Sequence, residues 1–297
     1  MSSEAERRGL WLGLVGVMIF SMTLPATRIA VRHLDPVFVG LGRSLVSAVL
    51  ALAYLAFTGG LARSRWPTAA QVRSLAVVSA GVVFGFPVLT SWALRHVPSA
   101  HGAIVVGLLP LATAIMGAWI NHEKPSRGFW IAALTGSGLV VAFALFHGGG
   151  ALHAADLALF VAVLLGAAGY AEGARLTRDF GGRETISWAL LLSVPLVIPP
   201  VWLAAADSDF NSTTAVEWAG FVYVAVLSQY LGFFAWYRGL DLGGVARVSQ
   251  VQLTQVFFTM FFSGLLLGEV ITAQMIVFAV AVVATVAIGR RMPIARS

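Results

Sequence analysis

Long apolar stretches recur along the entire chain, and they constrain its fold more than any other feature. A helix needs about 20 mostly apolar residues to cross the ~30 Å hydrocarbon core of a membrane. Hydrocarbon offers no partners to backbone groups, so such stretches fold as helices. We therefore predict an all-α, polytopic membrane protein with ten transmembrane helices, near residues 10–31, 36–57, 71–95, 99–120, 127–147, 155–175, 186–206, 216–237, 244–267 and 271–290.

The composition agrees with a membrane protein and argues against several other functions. Apolar residues make up 59% of the 297 residues and charged residues only 11%, whereas soluble domains are about a quarter charged. No basic cluster lies on a water-facing domain, so we expect no nucleic-acid partner. The chain has no cysteine and therefore no thiolate metal site or cysteine nucleophile. We expect a small-molecule substrate and the lipid bilayer as partners, with no cofactor and no metal.

The distribution of basic residues predicts the orientation. With the N-terminus in the cytoplasm, we assign thirteen of them to inner loops and tails and five to outer connections: Arg28, Arg32, Arg95, Arg238 and Arg247. Positive residues favour the cytoplasmic side. An even number of spans independently places the two termini on one side. We therefore predict a multi-pass protein of the inner (cell) membrane with both termini cytoplasmic.

Matched phrases indicate an internal repeat. The turn "LGEVIT" (267–272) resembles the segment "NHEKPS" (121–126), and "SWALRHV" (91–97) resembles "FAWYRGL" (234–240). Arg28 and Arg175 also end corresponding spans. These matches divide the chain into two five-helix repeats, 1–150 and 151–297. Five is odd, so the second repeat is inverted in the membrane, an arrangement that places a substrate site near the midplane between the halves.

Glu123 and Glu269 stand in the two matched turns. We interpret both as structural, in tight cytoplasmic turns where Ser126 and Thr272 cap the following helix. A carboxylate before a helix start also meets the positive end of the helix dipole. This interpretation predicts residues 120–127 and 267–272 on the same side of the membrane.

Two five-helix halves, each with a turn of the form GE-x-[IL]-[ST] between its fourth and fifth helices, resemble the EamA family of the drug/metabolite transporter superfamily. The second copy fits the pattern, and the first departs from it because His122 replaces the glycine. The Ala93-Leu94-Arg95 phrase and Arg43 are also similar to the family. The resemblance covers essentially the whole chain, and bacterial amino-acid exporters, including the YddG-type aromatic amino-acid exporter, are the members nearest to it.

The resemblance implies a secondary transporter that exports small metabolites, most plausibly aromatic or hydrophobic amino acids, by alternating access around a central cavity. The alternatives are drug-like cations or nucleotide-type metabolites, and more remotely a channel or an intramembrane enzyme. No GxxxxGK[ST] loop, HExxH or GxSxG motif and no paired acids occur, so we expect neither direct use of ATP nor an enzyme. The oligomeric state stays open, and a monomer is compatible with the sequence.

Polar and aromatic side chains within the spans are candidates for substrate binding, because burying polar groups in a membrane is costly. The candidates are Phe86, Thr90, Trp92, His101, Tyr170, Gln229, Tyr230, Phe233, Gln252 and Gln255. Two of them have an ordinary structural alternative. Trp92 suits an aromatic belt at the membrane interface, and His101 suits a hydrogen bond to a loop, although histidine also titrates in the physiological range.

Four further residues are candidates for coupling or gating. Glu172 could bind a proton or a substrate amine, or form an i,i+3 pair with Arg175 at the membrane edge. Arg43 could attract a substrate carboxylate, or brace helices by donating to backbone carbonyls. Pro25 and Pro87 interrupt spans one and three, where kinks allow either hinging or a static bend.

Overall fold

The computed structural model describes residues 3–62, 66–120, 123–147, 152–243, 251–292 and 294–296, and this part of the chain is almost entirely helical. The helices of the first half are α1 (Ser3–Ser21), α2 (Thr23–Ala30), α3 (Pro36–Phe57), α4 (Ala69–Val78), the π-helical stretch π1 (Ser79–Gly85), α5 (Phe86–His96), α6 (Ser99–Val106), α7 (Leu109–Ile120) and α8 (Arg127–His147). Those of the second half are α9 (Ala154–Phe180), α10 (Gly182–Ala206), α11 (Ala215–Val222), the π-helical stretch π2 (Tyr223–Leu231), α12 (Gly232–Gly243), a 3₁₀ turn (Gln252–Thr254), α13 (Gln255–Leu267) and α14 (Ala273–Arg291).

Eight helical segments are long and apolar enough to cross a membrane, and the described residues contain two shorter apolar helices besides. The eight are Arg7–Ala30, Pro36–Phe57, Ala69–His96, Ser99–Ile120, Arg127–Phe146, Ala154–Thr177, Gly182–Ala206 and Ala215–Gly239; the shorter two are Gln252–Leu267 and Ala273–Gly289. Each predicted span overlaps one of these segments. The start of the ninth, residues 244–250 with Arg247, lies outside the described residues. The chain is a multi-pass membrane protein.

Side chains and prolines set where several helices begin. The Asp35 carboxylate accepts the N–H groups of Val37 and Phe38 at the start of α3. Thr272 accepts the Met275 N–H at 3.2 Å and caps α14, as predicted. Ser126 accepts the Phe129 N–H at 3.4 Å at the start of α8. Each bond satisfies an N–H that has no partner within the helix.

Three spans are interrupted just before a proline. The first breaks between α1 and α2 ahead of Pro25, and the fourth breaks at residues 107–108 ahead of Pro110. The third span turns π-helical immediately before Pro87. Proline lacks the N–H that would bond four residues back, and its ring crowds the preceding turn. The breaks predicted at Pro25 and Pro87 are therefore present, and a third break precedes Pro110.

The two π-helical stretches occupy corresponding places in spans three and eight. π1 begins at Ser79 and leads into α5, and π2 begins at Tyr223 and leads into α12. A π-helical turn is wider than an α-helical turn and is found mostly at functional positions. Each stretch therefore marks a point where the regular phase of the helix changes.

Close helix pairs connect the two halves of the sequence. The π1–α5 segment packs along α9, and α12 packs along α1. Backbones touch at glycines in both pairs: a Cβ on Gly81 would lie 2.3 Å from the Leu165 carbonyl oxygen, and one on Gly239 would lie 2.7 Å from the Gly13 nitrogen. Small residues allow this approach in membrane helices. The other extensive pairs are α3 with α10, α8 with α14 and α7 with α9.

The turns that connect the helices lie at the two ends of the helix bundle. The Glu269 end contains the turns at 31–35, 97–98, 207–214 and 268–272 and the start of α9. The Arg183 end contains the turns at 58–68 and 181–182. The described parts of the first of these turns are residues 58–62 and 66–68. The same end also contains a small antiparallel sheet of β1 (Glu123–Pro125) and β2 (Ile294–Arg296). This sheet departs from the all-α prediction.

Glu123 and Glu269 lie at opposite ends, so the prediction that both turns share one side is wrong. Helix α14 starts directly after the Glu269 turn, and β2, which follows its other end, pairs with the backbone of Glu123. Nineteen helical residues span roughly 28 Å at 1.5 Å per residue. The physical reason is parity: five spans separate the two turns, and an odd number of crossings reverses the side.

Arg238 was also assigned to the wrong end. It lines a pocket of about 510 Å³ at the Arg183 end together with Gly181 and Arg183. Helix α12, which carries it, lies against the beginning of α1, where Gly239 touches Gly9 and Gly13. Arg238 therefore lies at the same end as the first residues of α1, which increases the positive charge there.

Candidate functional site

A small cavity lies between the two halves, deep within the helices. Its lining comes from both halves of the chain: Phe20, Thr23, Leu24, Arg43, Val82, Phe86, Val106, Leu109, Gly166, Tyr170, Ser228, Gln229, Phe233 and Gln255. The cavity encloses about 40 Å³, far below the roughly 300–1,000 Å³ of ligand pockets. A substrate would therefore require the surrounding helices to separate.

Arg43 is the charged group of this central cavity. It sits on α3 and is only 3% exposed. Within the described part of the chain it forms no ion pair, and its buried Nε has no hydrogen-bond partner. The bracing of backbone carbonyls considered for it from the sequence is not present there either. Burying a cation without a counter-charge costs roughly several kcal/mol in desolvation free energy. A bound anion would offset this cost.

Gln229 and Ser228 bring polar groups of π2 into the cavity. The Gln229 side-chain amide donates to the Val82 carbonyl of π1 at 3.2 Å, so the two π-helical stretches are directly joined. The Ser228 hydroxyl bonds the Thr23 hydroxyl of α2 at 2.7 Å. These contacts tie the breaks in spans one, three and eight together around the cavity.

Aromatic rings form the apolar part of the lining. Phe233 makes edge contacts with Phe20 at 5.3 Å and with Tyr170 at 6.0 Å between ring centroids. Phe86 lies against Gly166 of α9, where the absence of a side chain leaves room for its ring. The lining thus combines one cation and several hydroxyl and amide groups with a cluster of rings, and none of the described lining residues is acidic.

Gln255 joins this cavity to a smaller one of about 20 Å³ beside it. The neighbouring cavity is lined by Gln252 and Gln255 and by Pro110 at the break in span four. Both glutamines proposed for the cavity therefore line enclosed space. Six of the predicted site residues line the central cavity: Arg43, Phe86, Tyr170, Gln229, Phe233 and Gln255.

The remaining predicted substrate-binding residues lie elsewhere. Tyr230 points away from the cavity and bonds the Ser187 hydroxyl at 2.8 Å. Thr90 donates to the Phe86 carbonyl within its own helix at 2.6 Å. Trp92 and His101 line a different pocket, at the Glu269 end. Thr23 and Phe20 also line the cavity and were not predicted, although a hydroxyl within an apolar span is a signal that could have identified Thr23.

Glu172 forms the i,i+3 pair considered as its ordinary interpretation. Its carboxylate accepts the Arg175 Nε at 3.0 Å, and Arg175 also donates to the Ser74 hydroxyl at 2.7 Å. Glu172 does not line the central cavity. Its buried carboxylate is thus satisfied by a neighbour on its own helix.

The second pocket lies at the Glu269 end and has a volume of about 770 Å³. It is lined by Trp92, His96, Val97, Pro98, Ala100, His101, His153, Ala154, Ala155, Asp156, Glu269, Val270, Thr272 and Met275. Within it, the imidazole Nε2 of His101 lies 2.6 Å from the Asp156 carboxylate. The described residues contain no group of three or more His, Cys, Asp or Glu side chains arranged to hold a metal ion.

Glu269 organises the turns next to this pocket. Its carboxylate accepts the backbone N–H groups of Ser99 and Ala100, each at 2.8 Å, and so caps α6. It also lies 3.2 Å from the Nε of Arg28, which donates to the Leu94 and Val97 carbonyls at the end of α5. The structural role predicted for Glu269 is therefore confirmed, although it caps the helix of another span.

Comparisons with known proteins agree with this architecture. The model of the EamA-like transporter family matches residues 7–145 and again residues 153–289. YdeK of Bacillus subtilis (strain 168), described as an uncharacterized transporter, is 42% identical over 95% of this chain and 96% of its own length. A probable terminal-alkyne amino-acid exporter of Streptantibioticus cattleyicolor is 24% identical over 77% of this chain and 75% of its own.

One solved protein structure extends the comparison to three dimensions. This crystal structure superposes with a TM-score of 0.64 over 97% of this chain and 96% of its own, at 16% identity, which shows a shared fold alone. The helical membrane fold and the family matches together define the class, a multi-pass membrane transporter. The chain belongs to the EamA-like transporter family, within the drug/metabolite transporter superfamily.

Proposed function

We propose that this transporter exports amino acids with aromatic or other apolar side chains by alternating access. The observation that carries the proposal is Arg43, a buried arginine that faces the central cavity with no counter-charge among the residues that the structure describes. A substrate carboxylate supplies that charge and can accept two parallel N–H bonds from the guanidinium. Bound substrate thereby stabilises a group that is otherwise desolvated and unsatisfied.

The other lining groups fit the rest of such a substrate. The ammonium group can be bound by the oxygen atoms of Gln229, Gln255 and Tyr170 and by the faces of nearby rings. Phe86 and Phe233 provide the surface for an apolar side chain. Gln252 contacts the substrate from the neighbouring cavity when the two cavities join. The printed description of the Streptantibioticus cattleyicolor relative as a probable amino-acid exporter supports this substrate class.

The proposed architecture is ten spans in two inverted repeats, 1–150 and 151–297. The family model matches each half separately. The π-helical stretches begin at corresponding positions, Ser79 and Tyr223. The helix contacts are also reciprocal, because span three packs along span six as span eight packs along span one. Such a repeat provides two related packings, one open to each side.

Alternating access in this scheme uses the broken helices. The breaks before Pro25 and Pro87 and the two π-helical stretches all border the cavity, so small rotations there would widen it on one side at a time. The closed cavity corresponds to an occluded arrangement between the two open ones. Substrate movement driven by a gradient, rather than by bound ATP, follows because the sequence has no nucleotide-binding loop.

The proposed location is the inner membrane, with both termini and the Arg183 end in the cytoplasm. The test is labelling of single-cysteine variants, for which the cysteine-free chain is well suited. Arg127→Cys and Val270→Cys each place a thiol at an exposed position, at opposite ends of the bundle. A membrane-impermeant maleimide added outside whole cells should label Val270→Cys only. Labelling of both variants from outside would contradict the inverted repeat.

A second candidate function is export of apolar carboxylates that lack an ammonium group. The observation that favours it is the absence of any acidic side chain among the described lining residues of the central cavity. The same observation argues against drug-like cations, since Arg43 would repel them. Nucleotide-type metabolites would need more than this one cationic group. A channel is disfavoured because the cavity is far too small for a continuous pore and its described polar groups form no ring.

Counterflow in proteoliposomes tests the proposal. Vesicles are loaded with one unlabelled compound at a time and diluted into the same compound in tritiated form, for the twenty amino acids, phenylpropionate, nucleosides and cationic drugs. We expect exchange with aromatic and large apolar amino acids. Arg43→Gln should abolish it, and Arg95→Gln, at an exposed arginine, should not. Exchange with phenylpropionate but not with amino acids would select the second candidate. Exchange only with cationic drugs would overturn both.

A further inference from the structure

The pocket at the Arg183 end combines charges of both signs in one concave space. Its volume is about 510 Å³, which lies within the roughly 300–1,000 Å³ of small-molecule pockets. Among the described lining residues, three carry a charge: Arg183, Glu184 and Arg238. The central cavity differs on both counts, because it encloses about 40 Å³ and has no acidic residue among its described lining.

Aromatic residues hold two of these charges at the wall of the pocket. The Arg183 guanidinium lies over the ring of Phe234, with its central carbon 5.4 Å from the ring centroid. The Glu184 carboxylate accepts the hydroxyl of Tyr54 at 3.0 Å. Arg183 is exposed and Glu184 is only partly buried, so a solute in the pocket can reach both charges.

A guanidinium and a carboxylate in one pocket complement a zwitterion. Arg183 can donate two N–H bonds to a substrate carboxylate, and Glu184 can accept a hydrogen bond from an ammonium group. The neighbouring rings of Tyr54 and Phe234, 5.4 Å apart between centroids, provide apolar surface for a side chain. A compound with a single charge would be attracted by one group and repelled by the other. The pocket therefore favours free amino acids.

Two aromatic rings lie between this pocket and the central cavity. Tyr237 lines the pocket and Phe233 lines the cavity, and their ring centroids are 5.6 Å apart. The side chain of Tyr237 fills the space between α9 and α10. A Cβ on Gly182 would lie 2.6 Å from the Tyr237 Cβ, and one on Gly173 would lie 3.2 Å from its hydroxyl oxygen. The two rings therefore block the direct route between pocket and cavity.

The pocket at the Glu269 end occupies a related place in the first half. That pocket includes Trp92 and His96 near the end of α5, and the pocket at the Arg183 end includes Tyr237 and Arg238 near the end of α12. Each of these two helices follows one of the π-helical stretches. In the proposed inverted repeat, corresponding elements face opposite sides of the membrane, so each pocket borders the central cavity from one side.

We infer that the pocket at the Arg183 end is a second binding site for amino acids, from which substrate enters the central cavity when the rings of Tyr237 and Phe233 move apart. This inference rests on the proposed export function and supplies its first step. Arg183 binds the carboxylate and Glu184 the ammonium group, and the substrate then passes to Arg43. Because these charges stay in contact with water, the site binds weakly, with a dissociation constant on the order of 1 mM.

Protection of a single cysteine by L-phenylalanine tests the site without requiring transport. Thr177→Cys places a thiol in the pocket of an otherwise cysteine-free chain, and Arg43→Gln in the same protein removes the contribution of the central cavity. We expect L-phenylalanine to slow maleimide labelling of this protein in lipid nanodiscs. Its methyl ester and phenylpropionate should each protect about tenfold less well. Equal protection by phenylpropionate would indicate a general anion site and overturn the inference.

Substitution of either charge should weaken this protection. Arg183→Gln and Glu184→Gln should each raise the half-protecting concentration of L-phenylalanine about tenfold. Arg73→Gln is the matched control, because Arg73 is an exposed arginine near the same end that does not line the pocket, and it should leave protection unchanged. A thiol at the exposed Ala70, in Ala70→Cys, should not be protected. Unchanged protection in Arg183→Gln, or an equal loss in Arg73→Gln, would contradict the site.

The two rings have a separate readout. Ser228→Cys places a thiol in the central cavity, where it should react slowly with the small anionic reagent 2-sulfonatoethyl methanethiosulfonate. Tyr237→Ala should speed this reaction several-fold, and Tyr237→Phe, which keeps the ring, should not. Tyr223→Ala is the control for general loosening, since Tyr223 lies in the same span and lines neither the cavity nor the pocket. Similar rates in Tyr237→Ala and Tyr223→Ala would refute the barrier.

Counterflow separates failure of this inference from failure of the export function. If the unmodified protein exchanges L-phenylalanine but the amino acid does not protect Thr177→Cys, the second site is refuted and the exporter stands. If no exchange occurs, the export function fails. The protection and thiol-reactivity measurements then still decide whether the pocket binds amino acids, because neither requires transport.

Discussion

Arg28 and Arg43 carry the same guanidinium group in two adjacent spans, but the two groups have opposite surroundings. Arg28 donates to two carbonyls at the end of α5 and pairs with Glu269. Arg43 is more deeply buried and has no counter-charge within the described residues. A satisfied charge holds helix ends together, whereas an unsatisfied charge in a cavity is available to a ligand.

The largest expected effect comes from Arg43→Gln. We expect loss of two charge-assisted hydrogen bonds to weaken binding of L-phenylalanine roughly 100-fold. The midpoint of thermal unfolding should stay the same or rise, because the variant removes a buried cation without a counter-charge. Scintillation proximity binding and thermal unfolding in detergent measure the two quantities. A large fall in stability with unchanged binding would make Arg43 a structural residue and remove the distinction from Arg28.

Glu269→Gln should have the reverse pattern. The variant weakens the capping of α6 and leaves Arg28 with only carbonyl acceptors, so we expect the free energy of unfolding to fall by about 2 kcal/mol. Substrate affinity should be unchanged. Glu4→Gln is the matched control, because Glu4 forms an exposed pair with Arg8, and it should leave stability unaltered. Equal stability of the two variants would show that the Glu269 contacts are not stabilising.

Phe86→Ala should have a smaller effect on the central cavity. Removing a ring that would be buried against the substrate should weaken L-phenylalanine binding about tenfold. Phe84→Ala provides the comparison, since Phe84 lies two residues earlier and lines an apolar groove away from the cavity. Binding assays on both variants measure the difference. A similar loss of affinity in both would indicate a general packing defect rather than a substrate contact.

The smallest expected effect is that of Glu172→Gln. Arg175, its partner, is 46% exposed, and pairs of this kind contribute about 0.5 kcal/mol. We therefore expect near-normal stability and normal counterflow. Loss of transport driven by a pH gradient in this variant, with counterflow retained, would show that Glu172 couples transport to protons.

Much of the fold could be predicted because its causes are local. The length of each apolar stretch determines where a span lies, and the prolines determine where spans one, three and four are interrupted. The placement of Glu269 required a different argument. The two matched turns look alike as sequence, but the side of each is decided by the number of crossings between them. The similarity of the two turns suggested that they lie on the same side of the membrane. Because five spans separate them, they lie at opposite ends of the bundle.

The site was predicted in part, for a reason that lies in the helix geometry. Arg43, Tyr170 and Gln229 were found because polar groups within an apolar span are conspicuous. Gln229 and Tyr230 are neighbours, yet one lines the cavity and the other bonds Ser187 outside it. Both lie in π2, where the wider turn changes the angle between successive side chains. Neighbouring side chains of a regular α-helix already point about 100° apart, and the wider π-helical turn changes which of the two faces the cavity.

The most direct test of the central claim is binding of L-phenylalanine and its methyl ester to the unmodified protein and to Arg43→Gln. The ester keeps the ring and the ammonium group but removes the carboxylate charge. If Arg43 binds that carboxylate, the unmodified protein should prefer the free amino acid by roughly 100-fold, and the variant should bind the two compounds about equally. The same preference in both proteins would show that Arg43 does not recognise the carboxylate and would contradict the account.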